Sequence, residues 1–332
     1  MSLVSEDVEQ IDAADPPADS RGPGRFALRF ATFVLSIGLL GGSLAALPAS
    51  PREVAYLTAW LDKKSRLVAT ERPKVILVGG SNVAFGLSGE QISNRIDRPV
   101  VNLGLHVGLG LAPVLREVRE TLGPGDVVVV SPEYEFFLAS SHSDATVPTM
   151  RMFVDPSFGK PGFRERVSEA PARVVVAFRN AGDLASTTIN EALGRSSIGL
   201  ESEIFTREAF NEFGDMVTHR GRSSLGPTPL PPLNRWEVDD GLIDELVRFG
   251  RFARSRGARF VMIPPPLDRQ SFANRSPIID AVDRRLSRAR VGFAWSPESS
   301  VVDRDEVFDA AYHLIGEAND RRSMRLAEWL RE

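Results

Sequence analysis

The chain of 332 residues contains no cysteine. That excludes disulfides, thiolate nucleophiles and cysteine-based metal sites, and it suits the cytoplasm and a bacterial periplasm equally. Histidine is almost as scarce: His106, His142, His219 and His313 are the full set. They are scattered, with no His-x-x-x-His pair, so no metal centre is expected. Neither sign of charge dominates, since the net charge is −4 and the charges are interspersed. A nucleic-acid partner is therefore not indicated. Lysine is scarce beside arginine, a compositional bias that assigns no function. No internal repeat is visible. Gly104, Gly108 and Gly110 imitate a dinucleotide fingerprint, but the last two stand several residues beyond the preceding apolar run, so no phosphate loop results and no cofactor is expected.

Long apolar runs are also missing, with one exception. Phe30 to Leu47, FATFVLSIGLLGGSLAAL, carries no charge and with its flanks is long enough to cross a bilayer core of about 30 Å. Arg21, Arg25 and Arg29 stand just before it, which by the positive-inside rule puts the N-terminus in the cytoplasm and the rest outside. Three readings compete: a retained anchor, a cleaved signal peptide, and a core helix of a soluble protein. The acidic leader SEDVEQIDAADPPADS is unlike a basic signal-peptide start, which favours the anchor. The expected organisation is a disordered cytoplasmic tail over 1–25, a transmembrane signal anchor over 26–49, a juxtamembrane helix or linker over 50–72, and one α/β domain over 73–332. That domain would lie in the periplasm of a bacterium, on its inner membrane.

Within 73–332, β-branched runs alternate with amphipathic helices. Strands are expected at Val75–Gly80, Val100–Leu105, Val127–Ser131, Arg259–Ile263 and Val291–Trp295. Helices are expected over 88–96, 111–122, 239–256, 277–290 and 316–330. Continuous apolar strands separated by helices predict a mostly parallel five-stranded sheet covered on both faces, a three-layer α/β/α fold, with ligands at the carboxyl ends of the strands. The alternation fails over about 137–235. An unstructured loop of that length is improbable, so an inserted subdomain or lid is expected, with the proline-rich GPTPLPPL as its stiff return.

The chemistry-bearing residues gather at strand ends. KVILVGGSNVAFG is a strand that runs into Gly79-Gly80 and presents Ser81 on the turn before a helix, where a nucleophile or a helix cap would sit. Asp309 precedes His313 by four residues, a spacing that lets a carboxylate accept from the imidazole and fix its tautomer, or lets the aspartate merely cap a turn. His106 follows the second strand and could line a pocket, although a structural role is favoured. His219 and Asp215, in FNEFGDMVTHRG, could face the pocket from the insertion.

Taken together, Gly-Gly-Ser81-Asn82 after the first strand, Asn102-Leu103-Gly104 after the second, and Asp309…Tyr312-His313-Leu314 before the last helix resemble the SGNH (GDSL-type) hydrolase superfamily. The likeness is to its membrane-anchored bacterial branch linked to acylation or deacylation of cell-surface polysaccharides. It spans about Lys74–Glu133 and Val238–Leu330. The resemblance implies Ser81 as nucleophile, the Ser81 and Gly104 N–H groups as oxyanion donors, His313 as base and Asp309 as its orienting carboxylate. It implies an esterase or O-acyltransferase, with a polysaccharide and other envelope-assembly proteins as partners. One block departs from the pattern. Where the family places an asparagine donor, this chain reads Ser131-Pro132-Glu133-Tyr134-Glu135. A carboxylate there would repel an oxyanion, so Glu133 is expected to bind a sugar hydroxyl, pair with an arginine or orient another group. Asn82 and Asn102 are the nearby substitutes, and Tyr134 is a further pocket candidate. If the site is inactive, the alternative is a non-catalytic polysaccharide-binding or scaffold subunit.

Overall fold

The computed structural model describes residues 22–50, 54–138, 145–193 and 204–332. Most of the expected tail, residues 1–21, lies outside them, as does His142. The chain divides into two units, one ending at Ser43 and one beginning at Leu44.

The first unit is carried by helix α1 (Gly22–Ala45). After Arg29 it has no ionisable side chain, and Phe26, Phe30, Phe33, Leu35 and Leu39 are all exposed. A helix satisfies its backbone hydrogen bonds internally, so one with an apolar surface suits lipid. Gly24–Leu44 is the one stretch among the described residues long and apolar enough to cross a membrane, a character shared by anchors and signal sequences.

The second unit is an α/β domain. Helix α2 (Ala59–Ala69) leads into strand β1 (Val75–Gly79), and the short α3 (Ser81–Gly86) and α4 (Gly89–Ile96) follow. Strand β2 (Val100–Asn102), helix α5 (Leu111–Thr121) and strand β3 (Val127–Ser131) complete the first half. All neighbours pair in parallel, with Val75 opposite both Val100 and Val127. Strand β4 (Arg259–Met262) pairs with β3, giving the order β2-β1-β3-β4. Alternate residues feed two cores. Ile76, Val78, Val128 and Val130 pack with Leu115, Val118, Leu246 and Phe249 on one face. Val75, Leu77, Val127 and Val129 pack with Val83, Ile92 and Leu326 on the other. Helices therefore cover both faces, as near-continuous apolar strands require.

The sheet has four strands rather than the expected five. At 291–295 a single parallel bridge joins Phe293 to Met262. Arg290 turns with φ 58° and Pro297 lacks an N–H, so little extended backbone remains to pair. The remaining strands, β5 (Leu267–Asp268) and β6 (Val301–Val302), form a separate parallel pair.

The long insertion leaves and rejoins the domain at one place, where Leu138 and Val238 form an antiparallel bridge. Its described part holds α6 (Thr146–Phe153), α7 (Phe163–Ser168) and α8 (Ala170–Ala192). Helix α9 (Asp240–Ser255) then returns the chain to β4. Helix α10 (Arg269–Arg288) starts eight residues before the expected Pro277, because Asp268 caps it by accepting from Gln270 and Ser271 N–H. Pro277 cannot bond the Ala273 carbonyl, and the Ser276 hydroxyl does so instead, at 3.2 Å. Helix α11 (Gly316–Arg331) closes the domain.

Candidate active site

In the order β2-β1-β3-β4 the chain reverses direction of travel between β1 and β3, so their carboxyl ends flank the crevice where parallel sheets collect ligands. Ser81 leaves β1 there and Glu133 leaves β3. The Ser81 hydroxyl lies 3.2 Å from Glu133 Oε1, and the Asn82 N–H donates to the same oxygen at 3.0 Å. Gly80 leaves room here for Glu133, because a Cβ would press on Oε1 and displace the carboxyl. Glu133 is buried, and burial pushes its carboxyl up to about 7 from an ordinary 4.5. The Asn82 N–H opposes that shift and the neighbouring Glu135 reinforces it. Among the described residues its bonded partners are thus the serine and the serine's helix, not an arginine.

The second group arrives from the loop before α11. His313 Nδ1 meets Asp309 Oδ1 at 2.6 Å, and both are largely buried. A carboxylate at Nδ1 fixes that nitrogen as the N–H and leaves Nε2 as the basic one. The ring stacks flat on Phe85, with centroids 3.9 Å apart and planes 5° apart. Phe85 is one helical turn beyond Ser81 on α3, so Asp309 and His313 dock on the helix that presents the serine.

Other residues named from the sequence serve different ends. The Gly104 N–H, expected to face an oxyanion, donates to Asn102 Oδ1 at 2.9 Å, and Gly104 itself lets the chain pass against the Ala84 backbone. The Asn102 amide donates to the carbonyls of Val83 and Leu87 and to Asp215 Oδ1, all inside the protein. Asp215 in turn accepts from the Gly89 N–H, which pins the insertion to α4. The Asn82 amide is turned to Ser131, and its buried Oδ1 accepts nothing among the described residues. His106 Nδ1 accepts from the Gly108 N–H and caps a short turn. Tyr134 is buried near Asp283 and Glu298, on the side of α10, and its hydroxyl has no partner among the described residues. His219 is fully buried beside Phe85, donates from Nε2 to the Leu314 carbonyl at 3.0 Å, and is pushed down to about 4 by burial, so it stays neutral.

Several residues were not legible as site residues. The Tyr56 hydroxyl donates to the Leu105 carbonyl at 2.6 Å, and burial together with nearby Glu133 and Asp309 raises its pKa. Tyr312 donates to Glu135 at 2.6 Å, tying the histidine loop to the end of β3. Arg322 is the largest omission. Buried on α11, it reaches the carbonyls of Asn82, Gly86 and Pro264 and the Ser131 hydroxyl. Burial pushes it down to about 9, and it has no carboxylate partner among the described residues. Asn319 and Ser323 flank it, donating to the Phe85 carbonyl at 2.6 Å and accepting from the Ser88 N–H at 2.8 Å. The signal was present: Arg322 lies on the same helical face as Ala318 and Leu326. A mostly apolar cavity of about 620 Å³ begins at Val107, which packs against Gly80, and extends past Glu135 and Phe136 to Pro148. No family model, no curated protein and no solved structure matches the chain.

Proposed function

We propose that the domain is a serine esterase or O-acyltransferase of the SGNH type, acting on an acylated polysaccharide outside the membrane to which α1 anchors it. The observation that carries the reading is the docking of the Asp309–His313 pair on the helix that begins with Ser81, with His313 stacked on Phe85. In the reaction, Ser81 Oγ bonds to the acyl carbonyl carbon while His313 Nε2 takes its proton. The ester C–O bond then breaks, and His313 returns the proton to the leaving alkoxide. Water or an acceptor hydroxyl reverses these steps and frees the serine.

Glu133 decides how the oxyanion is met. A buried carboxyl with a pKa near 7 is protonated below neutrality, and a neutral carboxylic acid in an apolar site can donate a hydrogen bond to developing negative charge. In that form Glu133 stands in for the family's asparagine. Fluorophosphonate labelling of the full-length protein is the test. Stoichiometric labelling that disappears in Ser81→Ala is the expected outcome, and equal labelling of both proteins would reject Ser81 as the nucleophile.

A second reading, a non-catalytic polysaccharide-binding subunit, is favoured by one observation. The N–H groups of Asn82 and Gly104 are already bonded inside the protein, and the Ser81 hydroxyl faces Glu133. Complete absence of labelling in the wild-type chain would favour it.

A further inference from the structure

Helix α8 buries Val176, Ala177 and Asn180, as a surface helix should, but its opposite face is apolar as well. Val175, Phe178, Ile189 and Leu193 are 61%, 46%, 58% and 58% exposed. With Gly182 and Ala185 between them they follow the spacing i, i+3, i+7, i+10, i+14, i+18, one continuous stripe roughly 27 Å long. No charged residue interrupts it. On α7, Phe163 and Val167, four residues apart, are exposed too. Soluble monomers rarely leave a patch of this extent uncovered.

The chain itself says what covers it. Asn180 grips the segment that follows the apolar span: its Oδ1 accepts from the Ser50 N–H at 2.6 Å, and its Nδ2 donates to the Pro48 carbonyl at 3.0 Å. Pro48 is only four residues beyond the span Gly24–Leu44, a reach of at most about 14 Å. Asn180 lies on the buried side of α8, and a helix is roughly 10–12 Å thick. Once the span is in a bilayer, this short tether holds Asn180 and its helix within about 14 Å of the end of the span, close enough for the stripe to reach the lipid surface. We propose that the stripe on α8 is a membrane-seating surface, lying at the headgroup and acyl boundary of the leaflet from which the anchor emerges. Apolar side chains enter the boundary, and Arg164 and Arg166 beside Phe163 are placed to meet anionic headgroups. The inference rests on α1 being a retained membrane span.

The absence of cysteine makes the test direct. Single variants Phe178→Cys, Ile189→Cys, Glu191→Cys and Leu35→Cys of the full chain are labelled with an environment-sensitive fluorophore. They are then reconstituted in vesicles of phosphatidylethanolamine and phosphatidylglycerol, and quenched with lipid spin-labelled near the headgroup, with lipid spin-labelled deep in the acyl chain for position 35, or with aqueous iodide. Labels at 178 and 189 should shift to the blue and be quenched by lipid about threefold or more above the label at 191, which faces away from the stripe. Labels at 178 and 189 that respond to iodide like that at 191, while the label at 35 is lipid-quenched, would overturn the seating and leave the anchor intact. No lipid quenching at 35 would remove the anchor and the seating together. A blue shift that depends on protein concentration without lipid quenching would replace the membrane by a second copy of the chain.

Discussion

Helices α8 and α11 break the amphipathic rule in opposite directions. Helix α11 turns Asn319, Arg322 and Ser323 inward, where they bond the backbone of α3 and its flanks, while α8 turns Val175, Phe178 and Ile189 outward, where they bond nothing. Polar groups inside a core are costly unless most of their donors find acceptors, and here the acceptors are chiefly the carbonyls around the serine, with Arg322 Nε left over among the described residues. Apolar groups outside do not stabilise the fold, so their placement is informative about what the surface meets. The two departures thus differ in what they do for the fold, and stability measurements should separate them.

The largest effect is expected for Arg322→Met, which fills the space but removes the guanidinium bonds to the Asn82, Gly86 and Pro264 carbonyls and to the Ser131 hydroxyl, of which the hydroxyl keeps the Asn82 amide as donor. Loss of these charge-assisted bonds should cost about 3 kcal/mol in denaturant unfolding. A loss below about 0.5 kcal/mol would mean that α11 does not hold the serine's helix as the hydrogen bonds suggest.

The pH dependence of stability comes next. Glu133 has a folded pKa near 7 against an ordinary 4.5, so between these values the folded chain holds a proton that the unfolded chain has released. Stability should then fall as pH rises through that window and level off on either side, by on the order of 3 kcal/mol for this group. Glu133→Gln should flatten that decline. In the same variant, esterase activity should lose its fall above about pH 7, because the glutamine amide donates at every pH. A wild-type stability profile that rises from pH 5 to 7, and rises equally in Glu133→Gln, would remove the buried carboxyl from this role.

The smallest effect is expected on α8. Phe178→Ser should change unfolding stability by less than about 0.5 kcal/mol, because the ring contributes little to the folded core. A loss comparable to that of Arg322→Met would show that the stripe is packed within the protein, and the contrast between the two helices would fail.

Much of the domain was legible before any coordinates. The strands at Val75, Val100, Val127 and Arg259 announce themselves as unbroken β-branched runs, and the pairing of Asp309 with His313 follows from a spacing of four. The fifth strand was misjudged because an apolar run fixes burial but not a pairing partner, and Val291–Trp295 meets β4 at one residue only. The start of α10 was misjudged because a proline at the first turn and a proline with a substitute hydroxyl look alike in sequence. Asn102 read as a pocket residue because it ends a strand, yet its amide is held by three acceptors from other parts of the chain.

What the sequence determined alone is whatever depends on local pattern: one apolar span, alternating strands and helices, a serine after two glycines, a histidine four residues after an aspartate. What only the tertiary structure decided depends on residues far apart in the chain. It set Glu133 against Ser81 across 52 positions, brought Arg322 under Asn82 across 240, and bound Asn180 to the end of the anchor segment across 130. Burial, against the pull of the Asn82 and Ser81 hydrogen bonds, raised the Glu133 carboxyl, and no local pattern in the sequence carries that burial.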